Sequence, residues 1–198
     1  MIRTRRVSRD ILVMAYVNRA QARFSQNDAN AALLDLAEAI RLDPRSADAM
    51  TVRARIYVRQ GDVNRAFADL TAAISFDSSG TAALRERAAL HQRQGRLEPA
   101  LVDLDEAVAR NSEDGASRLL RAQIRVQRND LDGALADLDE VVRLDRDNLV
   151  AYAERADIYI ARGDRRRAVA DVTEAIRLAP RNTRLVTLRD QLNRELQR

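Results

Sequence analysis

A period of 34 residues runs through five consecutive stretches of this chain without an insertion. Arg-Ala pairs return at Arg19, Arg53, Arg87, Arg121 and Arg155, and Asn27, Gly61, Gly95, Asn129 and Gly163 keep the same step. So do Ala32, Ala66, Ala100, Ala134 and Ala168, followed three positions later by Asp35, Asp69, Asp103, Asp137 and Asp171. A unit of this size is one supersecondary piece that buries its apolar face only against its neighbours. The period therefore predicts an elongated stack with a distributed core.

Composition selects the kind of piece. Aromatic residues make up 4% of the chain and Trp is absent, so burial must come from Ala, Leu, Ile and Val in close helix contacts. Six Gly and three Pro are too few for an all-β fold, which needs turn residues at every strand end. The absence of Cys excludes disulfides, thiolate metal sites and a Cys nucleophile.

Each repeat reads as a helical hairpin. In the second, helix A spans Ala47 to about Gln60 and helix B about Val63 to Phe76, with Gly61 and Asp62 between them. Gly or Asn at that turn fits a left-handed helix end, where Gly avoids the Cβ clash and Asn tolerates it best. Asp28, Asp62, Asp130 and Asp164 follow as N-caps of helix B. Repeat three has Arg96 there, with Pro99 in the first turn, where no intrahelical bond is lost. Helix B carries an apolar stripe, as in Ala32, Leu33, Leu36, Ala39 and Ile40.

With Ala-Phe-Ala-Asp-Leu at 66 to 70 and Arg-Leu-Asp-Pro at 41 to 44, this hairpin resembles the tetratricopeptide repeat. Small residues such as Ala54, Ala66 and Ala73 fall at that family's packing positions. Its early helix A Trp is replaced by Tyr16, Met50, Leu84, Arg118 and Tyr152, and Arg118 is the outlier. The expected fold class is all-α, a right-handed α-solenoid of antiparallel hairpins. Its parts are a basic extension at 1–12, repeats at 13–46, 47–80, 81–114, 115–148 and 149–182, and a capping helix at 183–198 with Leu185, Leu188, Leu192 and Leu196 along one side.

Where the charge sits limits what the chain can bind. The net +4 divides into +3 over residues 1–12, then 0, 0, −2, −1 and +2 over the five repeats, and +2 over 183–198. Phosphate-backbone binding needs a basic stripe along the body, so no nucleic acid is expected. No apolar run reaches the length of a membrane span. Arg5 and Arg6, the run Ile11 to Val17 and Ala20 to Ala22 mimic a secretory leader, yet Asn18, Arg19 and Ala20 already keep the repeat register. A cytoplasmic chain is expected, and an exported form stays open.

The faithful charges read as scaffold. Arg19, Arg53, Arg87, Arg121, Arg155 and Arg189, with Asp35, Asp69, Asp103, Asp137 and Asp171, are expected to form a ladder of ion pairs between helices. Arg189 has no helix B of its own, which favours pairing forward, Asp171 to Arg189. His91 stands where Tyr57 and Tyr159 stand and is read as packing. No phosphate loop, nucleophile elbow or metal signature is present, so no catalytic residue, metal or cofactor is expected.

The resemblance implies that helix A residues line a groove for a peptide or partner helix. Those positions hold Val17, Asn18, Gln21 and Ser25; Thr51, Val52, Arg55 and Arg59; Arg85, Glu86, Ala89 and Arg93; Leu119, Leu120, Gln123 and Gln127; then Glu154 and Asp157. The binding set is read as Arg55, Arg59, Arg85, Arg93, Leu119, Gln123 and Gln127, a surface suited to a protein or peptide with an acidic segment. Some relatives clamp a terminal carboxylate with Lys and Asn, but Val17, Gln21, Val52, Ala82 and Glu86 occupy those places. Two alternatives to such a scaffold stay open: self-association through the end faces, and RNA binding by a helical array.

Overall fold

A computed structural model of the chain describes residues 8–197. Residues 1–7 of the expected basic extension therefore lie outside the described residues. The rest is all-α, with eleven helices and no strand among the described residues.

The hairpins form because their ends are specified locally. They pair α1 (Arg9–Ser25) with α2 (Ala29–Leu42), α3 (Ala47–Gln60) with α4 (Val63–Phe76), and α5 (Ala82–Arg93) with α6 (Leu97–Arg110). Then α7 (Gly115–Gln127) pairs with α8 (Leu131–Leu144) and α9 (Leu149–Ala161) with α10 (Arg165–Leu178), followed by α11 (Thr183–Leu196). Each hairpin turns through a positive φ at Asn27, Gly61, Gly95, Asn129 or Gly163, between 61° and 80°. The expected N-caps are in place: the carboxylates of Asp28, Asp62, Asp130 and Asp164 accept from the backbone N–H of Ala31, Arg65, Gly133 and Arg167. Arg96 supplies no side-chain cap, and Pro99 sits in the first turn of α6.

The chain divides after Asn111 into two compact units. In the first, α3 packs on α2 as well as α4, and α1, α3 and α5 lie side by side. The small residues make this possible: Ala20, Ala32, Ala39, Ala54, Ala66 and Ala73 are fully buried between larger neighbours such as Leu36, Ile56 and Leu70. Enlarging any of them would force the helices apart. Truncating Leu36 or Leu70 to Ala would cost about 2–5 kcal/mol through the cavity left behind.

The second unit has one core running from Ala122 through Leu138 and Ile158 to Leu192. The terminal helix α11 packs on α10, with Leu192 buried and Leu185 and Leu188 half-buried against that core. Leu196, on the same side, is 42% exposed at the last residue of its helix. Arg118 is accommodated by polar rather than aromatic contacts. Its Nε donates to the carbonyl of Ser112 at 3.0 Å and its Nη1 reaches Asp137 at 3.5 Å.

Candidate functional site

Among the polar contacts that join the helices, two sets bear on binding, and only one is a candidate binding surface. The first is the Arg and Asp series. Arg19, Arg53, Arg87, Arg121 and Arg155 donate through Nε and Nη2 to both carboxylate oxygens of Asp35, Asp69, Asp103, Asp137 and Asp171, all at 2.6–2.9 Å. Every one of these carboxylates is buried. The pairing corrects the forward direction expected from the sequence: Asp171 binds Arg155 of its own hairpin, and Arg189 binds its neighbour Asp190 at 2.7 Å.

The reason is antiparallel geometry. Arg53 lies eight residues before Gly61 and Asp69 eight after it, so both stand about 12 Å from the turn on facing helices. The same symmetry holds in every hairpin. Hydrogen bonds from Arg19, then the charges of Arg19 and Arg23, hold the Asp35 carboxyl below its ordinary range, against the opposing effect of burial. Fully engaged and buried, these carboxylates fix one helix against the other and offer nothing to a ligand.

The second set lies on the helix A surfaces. In the first unit, Arg55 Nε donates to Glu86 Oε1 at 2.7 Å, linking α3 to α5. Arg59 Nη2 donates to Asn27 Oδ1 at 3.0 Å, and its guanidinium lies 4.2 Å from the Phe24 ring centre. Arg55, Glu86, Arg59 and Phe24 border a pocket of about 190 Å³ together with Val58, Ala89, Leu90 and Arg93. Arg93 is exposed and makes no hydrogen bond or ion pair among the described residues. Arg85 does not line this pocket.

A larger cleft of about 650 Å³ in the same unit is bordered by Asn18, Gln21, Thr51, Val52 and Arg55. Asp10, Asp43, Asp48 and Asp77 outnumber Arg45 and Arg55 around it. The basic character read from the sequence is therefore local to the pocket holding Arg59 and Arg93.

In the second unit, Gln123 Nε2 donates to Glu154 Oε1 at 2.7 Å, linking α7 to α9. With Val126, Gln127, Leu131, Asp157, Ile158 and Ala161 they border a pocket of about 340 Å³. Burial pushes the Glu154 carboxyl up; the Gln123 hydrogen bond opposes this and the charge of Asp157 adds to it. Burial pushes Asp157 up as well, and Arg184 pulls it back. Leu119, expected at the binding surface, packs against the core of this unit and does not line the pocket.

The two pockets are the same place in the repeat, two periods or 68 residues apart. Arg55 corresponds to Gln123, Arg59 to Gln127, Glu86 to Glu154, Ala89 to Asp157 and Arg93 to Ala161. Arg55, expected to be free for a partner, is engaged by Glu86, and Glu154 and Asp157, outside the expected binding set, line the second pocket. The signal was the 31-residue step from Arg55 to Glu86, which recurs from Gln123 to Glu154.

Elsewhere, His91 packs with its ring centre 4.8 Å from that of Phe67, and its Nδ1 is buried without a hydrogen-bond partner among the described residues. Among the described residues no group of three or more His, Asp or Glu could hold a metal ion, and no helix is long and apolar enough to cross a membrane.

A family model described as the tetratricopeptide repeat matches residues 17–83 and 85–148, and a second of the same description matches 149–182. No curated protein sequence matches the chain. Among solved structures it is similar to PilF of Pseudomonas aeruginosa, with TM-score 0.85 and 21% identity over 96% of this chain and 86% of that one. It is also similar to YrrB, described as a repeat protein with an unusual peptide-binding site, with TM-score 0.67 and 21% identity over 88% and 90% of the two chains. A repeat protein of Thermus thermophilus aligns with TM-score 0.67 and 21% identity, over 91% of this chain and 98% of that one. At these identities the likeness is one of fold.

Proposed function

The chain belongs to the tetratricopeptide repeat family, and from that premise we propose that it is a non-catalytic scaffold holding a peptide or partner helix on the helix A surface of its first unit. Acidic side chains of the partner meet Arg59 and Arg93 there. The observation that carries this reading is one pocket with two guanidiniums that have no carboxylate partner among the described residues, set beside apolar Val58 and Leu90. Arg55 contributes less than its sequence position implies, because Glu86 already neutralises it. Complementary charge at such a site raises the association rate and discriminates between partners.

Affinity capture from the source organism's lysate, comparing the native chain with an Arg59→Glu and Arg93→Glu double variant, tests the reading. Partners retained by the native chain and lost from the variant, with binding that weakens as salt rises, are expected. An identical captured set would sink it. Self-association is the second reading, favoured by Ile11 and Met14 of α1, which are 54% and 58% exposed. Sedimentation velocity over a range of concentrations separates the two.

A further inference from the structure

The pocket of the second unit keeps the glutamate of the first, loses all three of its arginines and adds a carboxylate. We propose that it takes a basic side chain, arginine or lysine, from an extended peptide whose neighbouring residue is aliphatic. This rests on the scaffold reading and assigns a second partner chemistry, opposite to that of the first unit.

The shape of the pocket fits such a side chain. Val126, Leu131 and Ile158 give apolar walls, against which the methylene stem of a Lys or Arg can lie while its charged head reaches a polar rim. The rim is Glu154 and Asp157. Gln123 holds Glu154 Oε1 at 2.7 Å and so fixes the carboxylate while leaving Oε2 without a hydrogen bond among the described residues. Asp157 accepts no hydrogen bond among the described residues, and the cation whose charge acts on it is Arg184 of α11.

Burial pushes the half-buried Glu154 carboxyl up against the single Gln123 hydrogen bond, and the exposed Asp157 stands beside it, so the pair is only partly compensated within the chain. An incoming guanidinium or ammonium supplies that compensation with charge-assisted hydrogen bonds. A pocket of about 340 Å³ accommodates one long side chain and part of its neighbour. The Gln123 contact shows that the position across α7 and α9 is built to hold a donor against Glu154. In the first unit that donor is an arginine of the chain itself, Arg55.

Selection of a random heptapeptide library on the full chain, repeated on a Glu154→Gln and Asp157→Asn double variant, is the test. Peptides recovered on the native chain and lost on the variant should carry Arg or Lys beside Leu, Ile or Val. A synthetic copy should bind the native chain at least about tenfold more tightly than Glu154→Gln, the loss expected for one hydrogen bond to a charged group.

Glu154→Gln keeps the shape of the side chain, and Asp157→Asn alters a residue with no hydrogen bond to break among the described residues, so melting midpoints no lower than that of the native chain will show that the fold is intact. Arg93→Glu separates the two pockets: it should leave this peptide's affinity unchanged, and a parallel loss would assign the peptide to the first unit and overturn the proposal. So would recovery of acidic peptides, of the same peptides on both proteins, or of none. A change in the sedimentation of the chain alone on Glu154→Gln would make a second copy the occupant and overturn it as well.

Discussion

In the first unit Arg55 reaches from α3 to Glu86 of α5, and in the second Gln123 reaches from α7 to Glu154 of α9, across the same 31-residue step and at the same 2.7 Å. One clasp is an ion pair and the other a neutral donor on a carboxylate. These two repeat steps therefore place a donor against an acceptor between neighbouring helices A and differ in the charge of the donor. A similar contrast holds in the Arg and Asp series. Asp69 binds one arginine, whereas Asp137, 1% exposed, gathers Arg118, Arg121 and Arg125.

That contrast can be broken most sharply at the buried carboxylates. Asp137→Ala leaves three arginines without their common partner and should cost about 3–5 kcal/mol, the range for removing one side of a buried pair. Asp35→Ala should cost less, because the Arg19 side chain is 55% exposed and regains water. Urea midpoints followed by circular dichroism measure both, and equal shifts would erase the difference.

Next in size is an exchange of chemistry between the pockets. Gln123→Arg with Ala161→Arg gives the second unit two of the three cations of the first, and binding of a basic peptide should fall by more than about tenfold. Unchanged affinity in a peptide titration would show that the pocket's charge does not choose the partner.

The smallest expected effects are in the pH dependence, and their signs are opposite in the two units. In the first, burial lowers the His91 pKa despite the attraction of Asp103, so the unfolded chain binds the proton more readily. Stability should fall as pH drops through the unfolded value near 6.5 and stop falling below the folded one. His91→Tyr, the residue type at 57 and 159, should abolish that slope. In the second unit the folded Glu154 binds its proton more readily than the unfolded chain does. Its charge therefore destabilises the fold above the folded pKa, and that penalty fades as pH falls toward the unfolded value near 4.5. Glu154→Gln should raise the melting midpoint slightly at pH 7 and not at pH 4.

The hairpins were legible because their signals are local. A left-handed turn at Gly61, a cap at Asp62 and a small residue at Ala66 each act within a few residues of themselves. The partner of Arg53 was legible in principle, since Asp69 lies symmetrically across the turn, but a retained Arg189 misled the reading of direction. Leu119 and Arg55 were misread for a different reason. Both sit at helix A positions that the family uses for ligands, and nothing in their own helix shows that one meets the core and the other meets Glu86.

The amino-acid sequence alone determined the repeat, its hairpins and the residues that hold them, because helix periodicity, turn conformation and capping depend on neighbours along the chain. Only the tertiary structure decided which charges are paired inside the protein and which stay without an ion-pair partner among the described residues. That depends on how helix A of one repeat packs against helix A of the next, a contact about 31 residues away that no local pattern encodes. Arg55 is consumed by Glu86, while Arg59, Arg93, Glu154 and Asp157 are left at two pockets of opposite charge.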